Sequence, residues 1–290
     1  MGELRPCVFL DRDNTMVAND GDLGDPDAVV LLPGVAWALR ALHEAGYAIV
    51  VVTNQGGVAR GKYRERDVAA VHARIAERLA LEADLPFGTA LVDGWYHCPY
   101  HPEASVERYR REHPWRKPAP GMLHAAAGDL RVDLSRSWMV GDQERDIAAG
   151  HAAGCRAILL EHDDARLAES RARSAADFVE RDALHAAYRI LRADGRDRGP
   201  RWERTSGCAL RARPSALDDP HVQDAVRAAA IALAEREGVT LAQIDVDASG
   251  VRAQVQGAEI VALGFAAELA RTTNRWSRTR GLGALWGDDA

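Results

Sequence analysis

Two aspartates stand one residue apart in FLDRDNT (9–15), just past a short apolar run. Alternate residues of an extended backbone share a face, so Asp11 and Asp13 can be aimed at one phosphorus or one metal ion. An aspartate carboxylate can act as a covalent nucleophile on a phosphoryl group. The same pair also reads as a turn with helix-capping aspartates. A second acidic pair, Asp142 and Asp146, lies in MVGDQERD (139–146). Its i, i+4 spacing puts both carboxylates on one face of an opening helical turn. Oxygen donors of this kind suit Mg²⁺, which takes few carboxylates beside water and phosphate. The plain alternative is an N-terminal cap with acids that favour the helix dipole.

Two further stretches could complete an anion site. VVVTNQGG (50–57) ends an apolar run in Thr53, Asn54, Gln55 and two glycines. A hydroxyl and bare backbone N–H groups suit an anionic oxygen, though a turn before a helix explains them as well. Lys117 stands in WRKPAPGM. Pro118 disfavours helix at Lys117, and Pro120 fits a first helical turn. A lysine fixed there can neutralise phosphate charge. A lone surface lysine is ordinarily solvated, so the signal lies in its company.

The elements that must position these groups alternate along the first two-thirds of the chain. Strand-like runs fall at 7–10, 48–53, 94–98, 137–142 and 157–161, and helical patterns at 35–46, 66–83, 121–130 and 145–154. A weaker strand–helix pattern covers 176–193. Such alternation predicts an α/β, Rossmann-like parallel sheet with helices on both faces. In such sheets ligands bind outside the carboxyl ends of the strands, where all four polar stretches fall. Residues 1–193 are therefore read as one domain. The charged, apolar-poor stretch 194–207 reads as a linker. Residues 208–290 read as a small α-β-β-α unit, an α+β piece expected to pack on the main domain or a partner subunit.

The 290 residues are 47% hydrophobic and 28% charged, enough for a real core. A net charge of -6 argues against a dedicated nucleic-acid binder. No apolar run approaches the ~20 residues needed to span a bilayer, so no membrane is expected. Four scattered cysteines without a CxxC, and no secretory pattern at the start, predict a reducing cytoplasm.

The order of the motifs is more specific than any one of them. FLDRDNT, VVVTNQGGVARGKY, CPYHPEASVERY, RKPAPGM and SWMVGDQERD together resemble the haloacid dehalogenase-like phosphohydrolases over roughly residues 5–190. The resemblance is closer to the branch of heptose-1,7-bisphosphate 7-phosphatases and histidinol phosphatases. It implies a fold without a large cap and a Mg²⁺-dependent phosphatase acting on a small phosphorylated sugar. It implies Asp11 as nucleophile and Asp13 as acid and base. Mg²⁺ would sit among Asp11, the carbonyl of Asp13 and Asp142, with Asp146 supporting the site. Thr53 and Lys117 would hold the phosphoryl oxygens, helped by Asn54 and Gln55. Arg60 and Arg116 are candidates for a second phosphate or sugar hydroxyls. Asn14 departs from the usual Gly of the motif, and Asn tolerates the left-handed conformation a Gly would take.

The family it resembles often carries Cys-x-His and Cys-x-Cys in the loop before Arg-Lys-Pro, where they bind structural Zn²⁺. Here those positions hold Cys98, Tyr100, His113 and Trp115, and His101 is the one nearby substitute. Four ligands are needed to close such a site, so zinc is not expected and aromatic packing is. Residues 208–290 lie outside the resemblance. Arg271, Arg275, Arg278 and Arg280 could form an anion-binding face or a solvated face, while the apolar stretch 258–270 could mediate a homodimer or cover the open active site. The alternatives to the heptose bisphosphate reading are histidinol phosphate or another sugar phosphate. A different class of protein would be a binding scaffold on an inactive phosphatase fold.

Overall fold

The computed structural model describes residues 4–83, 85, 89–163, 165–195, 205–237, 239–256 and 259–286. They belong to two compact units, Met1–Ile190 and Leu191–Ala290.

In the first unit, strands β1 (Cys7–Leu10), β2 (Ala48–Asn54), β3 (Gly94–Cys98), β4 (Trp138–Gly141), β5 (Arg156–Leu160) and β6 (Phe178–Glu180) form one sheet. Its order is β3-β2-β1-β4-β5-β6 and every pairing is parallel. The chain builds outward from β1 in one direction, then returns to its other side at β4. The carboxyl ends of β1 and β4 therefore flank the point where the topology reverses, the place where such sheets bind ligands.

The strands form because their apolar runs can be buried on both faces. All four residues of β1 and the first six of β2 are buried. Cys7, Phe9, Val50 and Val52 face α4 (Gly121–Leu130) and α5 (Glu144–Ala152) in one core, with Met122, Leu123 and Ile147. Strand alternation turns Val8, Leu10, Ile49 and Val51 to the opposite face. There α1 (Val35–Glu44) packs on β2 and on α3 (Glu65–Glu82). Gly46, at φ 86, takes the left-handed conformation that stops α1. The short α2 (Gly56–Ala59) follows β2 directly, and α6 (Leu167–Arg173) and α7 (Ala183–Ala193) flank β6 in sequence.

The second unit differs from its sequence reading. It opens with a strand, β7 (Thr205–Arg211), before α8 (Pro220–Glu237), β8 (Leu241–Asp247), β9 (Gly250–Gln256) and α9 (Glu259–Thr279). The expected linker lies largely outside the described residues, at 196–204, and its last residues, Thr205–Gly207, are strand. TSGCALR has no β-branched run to announce itself. It is a strand because seven residues pair in register with β9. The antiparallel order is β7-β9-β8. Leu210, Val246, Val251 and Val255 are buried, as are Val226 and Leu233 of α8 and Phe265 and Leu269 of α9. Arg271 bonds Glu268, and Arg280 lies 5.1 Å from the Trp276 ring, so neither is a bare cation. Among the described residues no helix is long and apolar enough to cross a membrane.

Candidate active site

Asp11 is the first residue past β1, and its N–H donates to the carbonyl of Val140 on β4 (2.9 Å). The chain then coils tightly, with the N–H groups of Met16 and Val17 both donating to the Arg12 carbonyl. Asn14 makes this possible at φ 55. Its side chain accepts from the Asn19 N–H (2.9 Å) and so braces the loop.

Lys117 reaches this point from the loop before α4. Its ammonium is buried, donates to Asp11 Oδ1 at 2.7 Å and the Val52 carbonyl at 2.8 Å, and forms an ion pair with Asp146 Oδ1 at 2.6 Å. Burial alone would lower its pKa, but the two carboxylates outweigh it and hold the amine charged. The backbone of Lys117 is clamped as well. Its N–H donates to Asn54 Oδ1 and its carbonyl accepts from Asn54 Nδ2, each at 3.0 Å. Asn54 thus spends its amide on placing Lys117.

Asp146 is fully buried on α5. Its other oxygen accepts from the Gln143 N–H (3.1 Å) and caps the helix. Gly141, the last residue of β4, makes room for it. A Cβ at Gly141 would stand 2.4 Å from Asp146 Oδ2 and 2.5 Å from its Cβ. Burial raises the pKa of Asp146 against the pull of Lys117, and raises Asp142 with Asp11 adding to it. Acceptor oxygens of Asp11, Asp142 and Asp146 lie within 4.8 Å of one another. Among the described residues this is the group of acidic, His or Cys side chains able to hold a metal ion. Three hard oxygen donors this close together fit a small divalent cation.

Asp13 is held on both oxygens. Arg12 Nη2 donates to Oδ1 at 2.9 Å and Gln55 Nε2 donates to Oδ2 at 2.9 Å. The same Gln55 nitrogen donates to Thr53 Oγ1 (2.8 Å), and the Tyr63 hydroxyl donates to Gln55 Oε1 (2.9 Å).

The structure gathers the expected residues around one cleft of about 220 Å³. Asp11, Asp13, Asn54, Gln55, Arg60, Arg116, Lys117 and Asp142 line it. Thr53 and Asp146 lie buried behind. Arg60 pairs with Asp22 of the 20–26 loop, and Arg116 Nη1 donates to the Tyr100 carbonyl (3.1 Å). Sequence reasoning missed Arg12, Tyr63 and Arg145. Arg12 sits inside the first motif. Arg145 stands between the two acids of the fourth and also lines the cleft. Nothing in the spacing links Tyr63 to Gln55, because the contact depends on the turn after α2.

Among the described residues, Cys98, His101 and His113 do not form a group able to hold a metal ion. Tyr100 stacks on His113 (centroids 4.3 Å, 17°), and Trp115 meets Tyr96 edge-on (6.0 Å). Arg111 covers Tyr100 at 4.2 Å. The His101 and His113 Nδ1 atoms accept from the backbone of Glu103 and Trp115. Burial pushes the Cys98 thiol up.

A family model described as HAD-hydrolase-like matches residues 114–186. D-glycero-beta-D-manno-heptose-1,7-bisphosphate 7-phosphatase of Salmonella typhi is 39% identical over 179 residues, 62% of this chain and 92% of that protein. D-glycero-alpha-D-manno-heptose-1,7-bisphosphate 7-phosphatase of Burkholderia mallei is 40% identical over 164 residues, 56% of this chain and 84% of that protein. Among solved structures, D,D-heptose 1,7-bisphosphate phosphatase from B. bronchiseptica, complexed with magnesium and phosphate, superposes with a TM-score of 0.54. It is 29% identical and covers 65% of this chain and 99% of its own.

Proposed function

The chain belongs to the heptose-1,7-bisphosphate 7-phosphatase branch of the haloacid dehalogenase-like phosphohydrolases and is a phosphatase, and from that premise we propose that it removes the 7-phosphate of a heptose 1,7-bisphosphate through a phosphorylated Asp11. The observation that carries this reading is the buried Lys117 ammonium between Asp11 and Asp146, with Asp13 held beside them at the mouth of the cleft.

Asp11 Oδ1 is engaged by Lys117, so Oδ2 is the oxygen free to attack phosphorus. As the Asp11–phosphorus bond forms and the bond to the sugar oxygen breaks, Asp13 gives that oxygen a proton. Asp13 then takes a proton from water, whose oxygen attacks the phosphoryl group and frees Asp11 and inorganic phosphate. Lys117 neutralises the nucleophile's surroundings, and in this reading it holds the phosphoryl oxygens with the help of the Thr53 hydroxyl just behind the cleft. Asn54 serves by fixing the Lys117 backbone.

Asp11, the carbonyl of Asp13 and Asp142 would hold Mg²⁺, which supplies charge neutralisation between carboxylate and phosphate when bound. Asp146 has both oxygens engaged, by Lys117 and Gln143, so its part is to hold Lys117 and shape the acidic group. Arg60 and Arg116 line the cleft wall, and because a guanidinium's paired donors match phosphate oxygens they are assigned the second phosphate in this reading.

Phosphate release from heptose 1,7-bisphosphate, histidinol phosphate and a 3′-phosphorylated oligonucleotide tests the substrate. The heptose bisphosphate should be preferred, with Asp11→Asn inactive. A preference for histidinol phosphate moves the chain to its sister branch. Wild type no better than Asp11→Asn on all three sinks the reading.

A further inference from the structure

Gln55 is buried at the end of β2, yet its side chain is fully committed. An amide offers two N–H donors and one carbonyl. Here one N–H goes to Asp13 Oδ2, the other to Thr53 Oγ1, and the carbonyl accepts from Tyr63. The direction of the amide matters. Turned end for end, it would set a carbonyl oxygen against the Asp13 carboxylate. The Tyr63 hydroxyl, aimed at Oε1, keeps the carbonyl end away from Asp13.

The fold is shaped to seat this tyrosine. A Cβ at Gly24 would stand 2.4 Å from the Tyr63 ring, and one at Gly57 would stand 2.3 Å from it. Two glycines from different segments therefore let the ring lie close against the backbone. Burial, opposed by Arg12, pushes the Tyr63 hydroxyl up to about 12, so it remains an O–H donor wherever the protein works. Thr53 gains from the same chain of bonds. Its oxygen accepts from Gln55, which leaves its hydrogen to donate elsewhere.

We infer that Tyr63 is a positioning residue for proton transfer: acting through Gln55, it fixes Asp13 in the orientation that delivers a proton to the leaving oxygen. Arg12 Nη2 reaches both oxygens of Asp13, Oδ1 at 2.9 Å and Oδ2 at 3.1 Å, and the Tyr63–Gln55 pair adds the shorter hold on Oδ2 at 2.9 Å. The inference rests on the role of Asp13 proposed above. Tyr63 bonds neither Lys117 nor Asp11, but Gln55 also bonds Thr53, so the test must separate proton delivery from phosphate binding.

The leaving group separates the two. In transfer to Asp11, the sugar oxygen must gain a proton as its bond to phosphorus breaks, whereas 4-nitrophenolate departs without one. The experiment is a single turnover by rapid quench, enzyme in excess, with heptose 1,7-bisphosphate and with 4-nitrophenyl phosphate. Tyr63→Phe keeps the ring in its seat and removes only the hydroxyl. Release of heptose 1-phosphate should slow on the order of tenfold, part of the ~10²–10⁴ that general acid catalysis supplies. Release of 4-nitrophenolate should change by less than about twofold. Asp13→Asn is the reference and should show the same selectivity, more strongly. Selective loss in Asp13→Asn without any in Tyr63→Phe overturns the inference and leaves the role of Asp13 standing. Equal loss of both substrates in Tyr63→Phe, or a change in KM alone, also overturns it. An Asp13→Asn that shows no selectivity removes the role of Asp13 and the inference with it.

Discussion

Gly141→Ala is a one-methyl change that reaches the centre of the site without replacing a charged residue. The added methyl would lie 2.4 Å from Asp146 Oδ2, 2.5 Å from its Cβ and 2.6 Å from its Cγ. Non-bonded carbons settle at about 3.5–4.0 Å, so Asp146 or β4 must shift by roughly 1 Å. Asp146 cannot move alone. One oxygen caps α5 through the Gln143 N–H and the other contacts the Lys117 ammonium. A displacement of about 1 Å at such a site costs on the order of 10²-fold in turnover. Overpacking costs about 1–3 kcal/mol, which lowers the melting temperature by roughly 2–12 °C at 2–4 °C per kcal/mol for a domain of this size. Steady-state phosphate release on the heptose bisphosphate and a thermal melt read both effects. A Gly141→Ala protein that melts with wild type and turns over within about twofold of it would refute the claim that Asp146 is held by this close approach.

Two other outcomes follow from groups outside the reacting centre. His72 is buried against Trp95, and burial, with Arg12 and His97 adding, lowers its pKa from 6.5 to about 3. The unfolded chain takes up that proton below about pH 6.5 and the folded chain does not, so stability falls as pH drops through this window, by about 2 kcal/mol at pH 5. Denaturant melts at pH 7 and pH 5 should show that loss in wild type and not in His72→Phe; equal losses in both remove His72 as the cause. In the 98–116 loop, elemental analysis of the purified protein should find no stoichiometric zinc, and Trp115→Ala should lower stability by roughly 1–3 kcal/mol, below the ~3–5 of a fully buried Trp because its ring is only half-buried against the core. Stoichiometric zinc, or a Trp115→Ala melt unchanged from wild type, contradicts aromatic packing as the loop's support.

The sequence announces the first sheet because its strands are buried on both faces and read as unbroken apolar runs, as in AIVVV at the start of β2. The polar residues just past those runs are then at the carboxyl ends by necessity, which is why Asp11, Thr53 and Asp142 could be named before any geometry; Lys117, in the loop before α4, was legible only by its company with the other motifs. Strand β7 stayed hidden because one face of it is exposed and its existence depends on pairing with β9. The clamp of Asn54 on Lys117 joins residues 63 apart, and no local pattern carries that. Gly141 reads as a turn glycine until a Cβ is placed there. Tyr63 sits in a motif whose conspicuous members are Thr, Asn and Gln, and its bond to Gln55 appears only once α2 has folded back.

The central claim is that Asp11 carries the phosphoryl group, and trapping it is the most direct test. Enzyme turning over heptose bisphosphate labelled in the 7-phosphate is quenched in acid, digested and mapped by mass spectrometry. The account predicts one acid-stable phosphoryl group on the peptide bearing Asp11, lost on treatment with base or hydroxylamine and absent from Asp11→Asn. Label on any other side chain, or Asp11→Asn turning over at the wild-type rate, would contradict it.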